Sequence, residues 1–92
     1  MTDTTSARHD EQALAERVQQ LETALQTRVV IEQAKGIIVG RHAVDIAEAF
    51  EALRASARAS RQRLHDLAQR VVDEPETPEE VLRRLPGGRR DD

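Results

Sequence analysis

Apolar residues along the first half of the chain recur at helical spacing. Leu14, Val18, Leu21 and Leu25 follow one another at steps of four, three and four, the a/d seam of about two heptads. Glu16, Arg17, Gln19, Gln20 and Glu22 fill the other faces. Val30, Ala34, Ile37 and Ile38 extend an apolar stripe at i, i+4, i+7 and i+8. No glycine or proline interrupts the pattern before Gly36, so the spacing predicts one long helix over about 11–41. Residues 1–10 are polar and aperiodic and are expected to be disordered. Gly36 and Gly40 stand four apart inside the predicted helix, each costing about 1 kcal/mol against alanine. Such a pair predicts close approach of another helix first and of a ligand backbone second.

A turn is predicted at Arg41 to Val44. Asp45 then offers an N-cap, with Glu48 three residues on completing a capping box. Ile46, Phe50, Leu53 and Ala57 form one apolar face; Leu64, Leu67, Ala68, Val71 and Val72 form another. Positions 46, 50, 53, 57, 60, 64, 67 and 71 alternate steps of four and three without a slip. One continuous helix and a two-helix hairpin with Ser60 as N-cap both satisfy this pattern. Glu74-Pro75-Glu76 ends the helical stretch. Thr77-Pro78-Glu79-Glu80 reads as a second capping box with proline at the first helical position. A short helix over about 78–85 should follow, stopped by Pro86-Gly87-Gly88, with a mobile tail from Arg89 to Asp92.

Composition supports helices and little else. Apolar residues make up 38% and charged residues 34%, and Phe50 is the only aromatic, a balance that suits a water-exposed helical protein. Ninety-two residues give room for one domain with a modest core, so oligomerisation is an expected source of stability. There is no cysteine, hence no disulfide framework or thiolate chemistry. The N-terminus lacks the apolar segment of a signal peptide, and the longest apolar run, Gly36 to Gly40, is far too short to span a bilayer. The expected compartment is the cytoplasm.

No catalytic constellation is visible. His9, His42 and His65 lack metal-ligand spacing, and Gly36 and Gly40 lack the strand-turn-helix setting of a phosphate loop. Ser6, Ser56 and Ser60 have no partners suggesting a nucleophile. The expectation is a protein that is not an enzyme, with no cofactor, no metal and no small-molecule substrate.

Net charge is −3, but it is unevenly spread. Residues 1–25 carry two basic and five acidic groups, residues 26–72 eight basic and five acidic, and residues 73–92 four basic and seven acidic. The middle is therefore +3 and each end −3, and a local basic surface matters more to a polyanion than the sum. Arg54, Arg58 and Arg61 fall at i, i+4 and i+7. Arg28 and Lys35 stand seven apart, as do Arg63 and Arg70. Arg28–Glu32 and Asp66–Arg70 at i, i+4, and Glu32–Lys35 and Glu51–Arg54 at i, i+3, predict local ion pairs worth a few tenths of a kcal/mol each. Arg28 and Arg70 read best as such pairs. Arg58, Arg61 and Arg63 have fewer acidic neighbours at these spacings and read as phosphate contacts. Lys35 is the single lysine beside thirteen arginines, which marks it as a position where a guanidinium would not serve.

Arg28 to Arg41 reads RVVIEQAKGIIVGR. With Ala34-Lys35-Gly36 at its centre, it resembles the signature of the ANTAR family of bacterial transcription antitermination regulators. The likeness continues in Glu48-Ala49-Phe50, in Leu53-Arg54, and in Leu64, Leu67-Ala68 and Val71-Val72, covering the chain from about Ala24 to Asp73. It implies an all-α fold: a long N-terminal helix whose coiled-coil extension, 11–25, dimerises through Leu14, Val18, Leu21 and Leu25, followed by a two-helix hairpin. It thus implies a break near Ala59 to Arg61. The family carries the implication of a homodimer that binds hairpin loops in nascent RNA, prevents the terminator hairpin from forming and lets transcription continue.

Carried onto this chain, the resemblance places Ala34, Lys35 and Gly36 at or near RNA. Arg41, Arg54, Arg58, Arg61 and Arg63 would add phosphate or base contacts. Two departures stand out. Many relatives have glycine after the first helix where this chain has Ala43, which is strained if the turn needs φ > 0. The family usually attaches a receiver or sensor domain, and none fits in 92 residues, so any control input is expected from a partner, dimer exchange or expression level. The competing reading is an interaction module of the same fold that binds or titrates a partner regulator through its coiled coil without binding RNA. The acidic ends favour it; the basic middle and the intact Ala34-Lys35-Gly36 favour RNA.

Overall fold

The structure, a computed structural model, describes residues 3–87, with side chains described from Arg8 onward. The described residues form helices without strands: α1 (Asp3–His42), α2 (Ile46–Ser60), α3 (Leu64–Asp73) and a single turn, α4 (Glu79–Leu82). The predicted break at Ala59 to Arg61 is present, and the hairpin reading holds. The tail expected from Arg89, together with Gly88, lies outside the described residues.

Helix α1 is described from Asp3 rather than from near Glu11, which corrects the expectation of disorder for residues 3–10; residues 1 and 2 lie outside the described residues. Adding residues to an existing helix carries no nucleation cost, and no glycine or proline stands among residues 3–10 to stop it. Every described side chain from residue 8 to residue 26 is exposed, so this half of α1 stands clear of the body. From Val30 onward α1 becomes one wall of the core. Val30, Ala34 and Ile38 are buried on it.

The chain then runs up, down and up. A three-residue turn reverses it into α2. The start of α3 lies beside the middle of α1, where His65 shares a surface depression with Gln26 and Thr27. Past the end of α3, the Glu74 carbonyl meets Arg41 at the end of α1. So α3 runs parallel to α1, and α2 runs antiparallel to both.

The entry to α2 is the predicted one. The Asp45 carboxylate accepts from the Glu48 amide at 2.7 Å, and Glu48 accepts from the Asp45 amide at 2.9 Å. Its buried face differs from the expected one. Ala49, Ala52, Leu53, Ser56 and Ala57 point inward, while Ile46 is 51% exposed and Phe50 is half-buried. Alanines and a serine let α2 lie close to its neighbours, and the larger Ile46 and Phe50 are displaced to the flank.

The C-terminal segment also departs from expectation. Pro78, not Thr77, occupies the N-cap of α4, and no side chain caps it. The hydrogen-bonded turn continues only to Leu85. Val81 and Leu85 still enter the core. The segment is fastened from beneath by buried Ser56, whose hydroxyl donates to the Glu80 carbonyl at 2.8 Å. Ser60 does not cap α3; it ends α2 and donates back to the Ser56 carbonyl at 2.7 Å. Arg63 is the N-cap of α3 without a side-chain bond.

Candidate nucleic-acid interface

The basic residues separate into two groups according to what already holds them. At the end of α1, Arg41 donates to the Thr77 hydroxyl at 3.2 Å and to the Glu74 carbonyl at 3.1 Å. His42 Nε2 lies 2.9 Å from the same hydroxyl. Because the Thr77 oxygen accepts from Arg41, its own proton is free to donate to a neutral imidazole. Burial, and after it the neighbouring Arg41 charge, hold the His42 pKa below its ordinary value. Thr77 is recruited here by tertiary contacts, which is why it does not cap α4.

Arg70 is held as firmly, by different partners from the one predicted. It reaches Glu74 at 3.1 Å and Glu80 at 2.8 Å and leaves Asp66 aside. These two carboxylates raise its pKa. The Glu80 carboxyl is lowered, first by its own backbone amide and then by Arg70, with the Gln62 amide at 3.0 Å assisting.

Around the α2–α3 junction the basic residues are free. Arg58, Arg61 and Arg63 are exposed and form no ion pair among the described residues. Arg61 closes α2 in the left-handed conformation, φ 59°. Its amide donates to the Arg58 carbonyl at 3.3 Å, and the Gln62 amide donates to the Ala57 carbonyl at 2.9 Å. This is a Schellman motif with arginine where glycine is the usual occupant. Non-glycine residues in this region cost roughly 1–2 kcal/mol. Ala43 at the other turn has φ 56°, so the departure noted in the sequence is a strained alanine rather than a different turn.

Lys35 sits at the seam between α1 and α2. Its ammonium is 3.1 Å from Glu32 and 4.8 Å from the centroid of the Phe50 ring. Since α1 and α2 are antiparallel, moving seven residues back along α1 and seven forward along α2 brings Arg28 level with the neighbourhood of Ala57. Glu32 is taken by Lys35, so the expected Arg28–Glu32 pair does not form, and Arg28 is exposed without an ion pair among the described residues. Sequence reasoning assigned Arg28 to a local pair. The competing Glu32–Lys35 spacing was the signal that could have released it. Arg54 keeps its expected partner, Glu51, at 2.9 Å, yet remains exposed.

The remaining predicted positions scatter. Ala34 is fully buried in the core and cannot touch a ligand; its role is to let the helices approach. Gly36 is exposed, and a Cβ added there or at Gly40 would meet nothing within 4 Å. The close approach expected at these glycines is therefore absent within the chain. One step along a helix turns about 100°, so Gly36 faces away from Lys35, on the side carrying Leu25 and Val29. That side is apolar and bare: Leu14, Val18, Leu21 and Leu25 are 53–64% exposed. Among the described residues no cluster of histidine or acidic side chains is arranged to hold a metal, and no helix is long and apolar enough to cross a membrane.

The model of the ANTAR domain matches residues 19–72. No curated protein and no solved structure matches the chain.

Proposed function

The chain belongs to the ANTAR domain family, a family of regulatory RNA-binding modules rather than enzymes, and on that premise we propose that it is an RNA-binding transcription antitermination regulator. It engages hairpin loops in nascent RNA and prevents the competing terminator hairpin from forming. The observation that carries this reading is the exposed group Arg58, Arg61 and Arg63 at the α2–α3 junction, which forms no ion pair among the described residues. Arg28, Arg54 and Lys35 extend it along the α1–α2 seam. Guanidinium groups with no protein carboxylate to satisfy them are ready to donate in pairs to phosphate, and phosphate contacts position a protein on nucleic acid. With Phe50 the only aromatic and its ring covered by Lys35, aromatic base stacking contributes little, and arginine planes take its place.

The partner on the bare side of α1 is a second copy of this chain, packed through Leu14, Val18, Leu21 and Leu25. A coiled-coil seam left in water forfeits the burial for which its spacing is suited. A dimer would present two basic junctions, matching a pair of RNA hairpins. Gly36 belongs with this side rather than with the RNA surface.

Binding of the purified protein to tandem RNA hairpins over a salt series, with the mass in solution measured in parallel, tests the reading. The expected result is a dimer whose affinity falls steeply with salt as phosphate-bound counterions are released. A folded dimer that binds no RNA at any salt would sink it. That result would favour the second reading, a module that titrates a partner regulator through the same exposed seam.

A further inference from the structure

The chain's one lysine and its one aromatic residue meet. Lys35 comes from α1 and Phe50 from α2, so the contact spans the two helices that frame the basic seam. We propose that Phe50 is a positioning residue for RNA binding: its ring holds the Lys35 ammonium at the head of the arginine stripe, so that one helix's cation and the other's arginines act as a single phosphate-binding edge. The proposal rests on the RNA-binding reading above and adds to it the residue that aligns the site.

The ring face carries negative potential and attracts a cation within about 6 Å; the ammonium lies 4.8 Å from its centroid. Glu32 holds it from the same helix at 3.1 Å. An ammonium has three N–H donors, so these two contacts leave it donor capacity toward solvent. The Lys35 side chain is only 16% exposed, which lays its alkyl stem in the seam and leaves the charged end at the rim. A free lysine must give up rotamer freedom on binding; this one has surrendered most of it already. The placement of Phe50 adds a second reason. Phe50, Arg54, Arg58 and Arg61 follow at i, i+4, i+8 and i+11, one flank of α2 running into the junction. A ring at the first of these positions fixes the lysine in line with the guanidinium groups that follow. It also accounts for a partly exposed phenylalanine on a helix whose buried face is Leu53 with alanines and a serine. An arginine at position 35, longer and planar, would not seat its charge in the same place.

The test is a double-mutant cycle in RNA binding with Phe50→Leu, Lys35→Ala and the pair, plus Phe50→Tyr as the conservative variant. Tandem hairpins over a salt series serve as the probe, and thermal melting reports folding. The wild-type protein is expected to bind. Phe50→Leu should weaken binding by about the same factor as Lys35→Ala and lower the salt slope by up to about one unit, although it removes no charge. The pair should bind no worse than Lys35→Ala alone, and Phe50→Tyr should bind as wild type. A residue acting only through fold stability would leave the salt slope unchanged and would not cancel against Lys35→Ala. If Phe50→Leu melts too low to assay, the upfield ring-current shift of the Lys35 Hε protons in the wild-type protein, and movement of those signals on adding RNA, replaces it. Losses that add across the cycle, an unchanged slope, or Lys35 signals indifferent to RNA would overturn the proposal while leaving RNA binding intact. Failure of the wild-type protein to bind would overturn the functional reading itself and the proposal with it.

Discussion

Where α1 gives way to α2, exposed Arg41 and half-buried His42 are tied to residues 74–77 through the Thr77 hydroxyl and the Glu74 carbonyl. At the opposite end of the body, Arg58, Arg61 and Arg63 face solvent without ion pairs among the described residues. Each end is turned by a non-glycine residue in the left-handed region, Ala43 at φ 56° and Arg61 at φ 59°. The two ends therefore share a backbone device and a positive charge but differ in what satisfies that charge. Basic character read along a chain does not locate an anion site; the pairing state of each guanidinium does. The C-terminal segment supplies the Thr77 hydroxyl and the Glu74 carbonyl to the first end; at the second it reaches Gln62 through Glu80 but gives Arg58, Arg61 and Arg63 no carboxylate.

The largest effect should come from emptying the open end. Replacing Arg58, Arg61 and Arg63 together by alanine is expected to weaken RNA binding on the order of 100-fold or more, at ~1–3 kcal/mol for each charge-assisted contact, as read by titration at fixed salt. Melting should change little. Arg41→Ala, at the closed end, should do the reverse and lower the melting temperature while sparing affinity. Comparable losses of affinity from both would erase the distinction between the ends.

Loosening the hold of the C-terminal segment on α2 comes next. Ser56→Ala removes the buried hydroxyl that donates to the Glu80 carbonyl and leaves that acceptor without its partner, which costs about 1–3 kcal/mol. Denaturant unfolding should show this loss, with RNA affinity kept.

A smaller and more diagnostic pair is Ala43→Gly and Arg61→Gly. The left-handed conformation costs an L-residue roughly 1–2 kcal/mol, and glycine returns part of that gain through its freer unfolded chain. Each change should stabilise the fold by about 0.5–1 kcal/mol. Only Arg61→Gly should also weaken RNA binding, about tenfold for one lost charged contact. Stabilisation together with loss of binding would mark Arg61 as a residue kept in a strained position for function.

The smallest effect is on pH dependence. The His42 pKa is lowered from its ordinary 6.5, so below that value the unfolded chain takes up the proton more readily than the folded one. The contribution is complete above pH 6.5, is lost as pH falls through the folded value, and levels off beneath it. Glu80, lowered from 4.5, contributes in the same sense at lower pH: its share is present above 4.5 and is lost as pH falls further. A melting series should show two descents on acidification, and His42→Gln should remove only the one nearer neutrality.

Much of this was legible in the chain. The break near Ala59 to Arg61 came from the family resemblance, since the spacing over 46–71 fits one helix as well; the Asp45–Glu48 box, the seam from Leu14 to Leu25 and the pairs Glu32–Lys35 and Glu51–Arg54 are local. Spacing of three and four residues determines them. What escaped were choices made across the fold. Thr77 had the spacing of a cap but was taken by Arg41 and His42. Arg70 had Asp66 at the right distance along the helix but found Glu80 in space. Ala49 and Ser56 stood outside the apolar face read as Ile46, Phe50, Leu53 and Ala57, yet they are buried, because close helix packing favours small side chains. Ala34 sits within the family's signature but fills the core, so the motif is not a run of exposed positions.

Chemical-shift mapping of the labelled protein with an RNA hairpin separates the two ends in one experiment. The amides expected to move most belong to residues 54–63, with a second group at 28–35, while residues 41–45 and 74–78 stay still. Perturbation centred on Arg41 and the C-terminal segment, with the α2–α3 junction unmoved, would contradict this expectation.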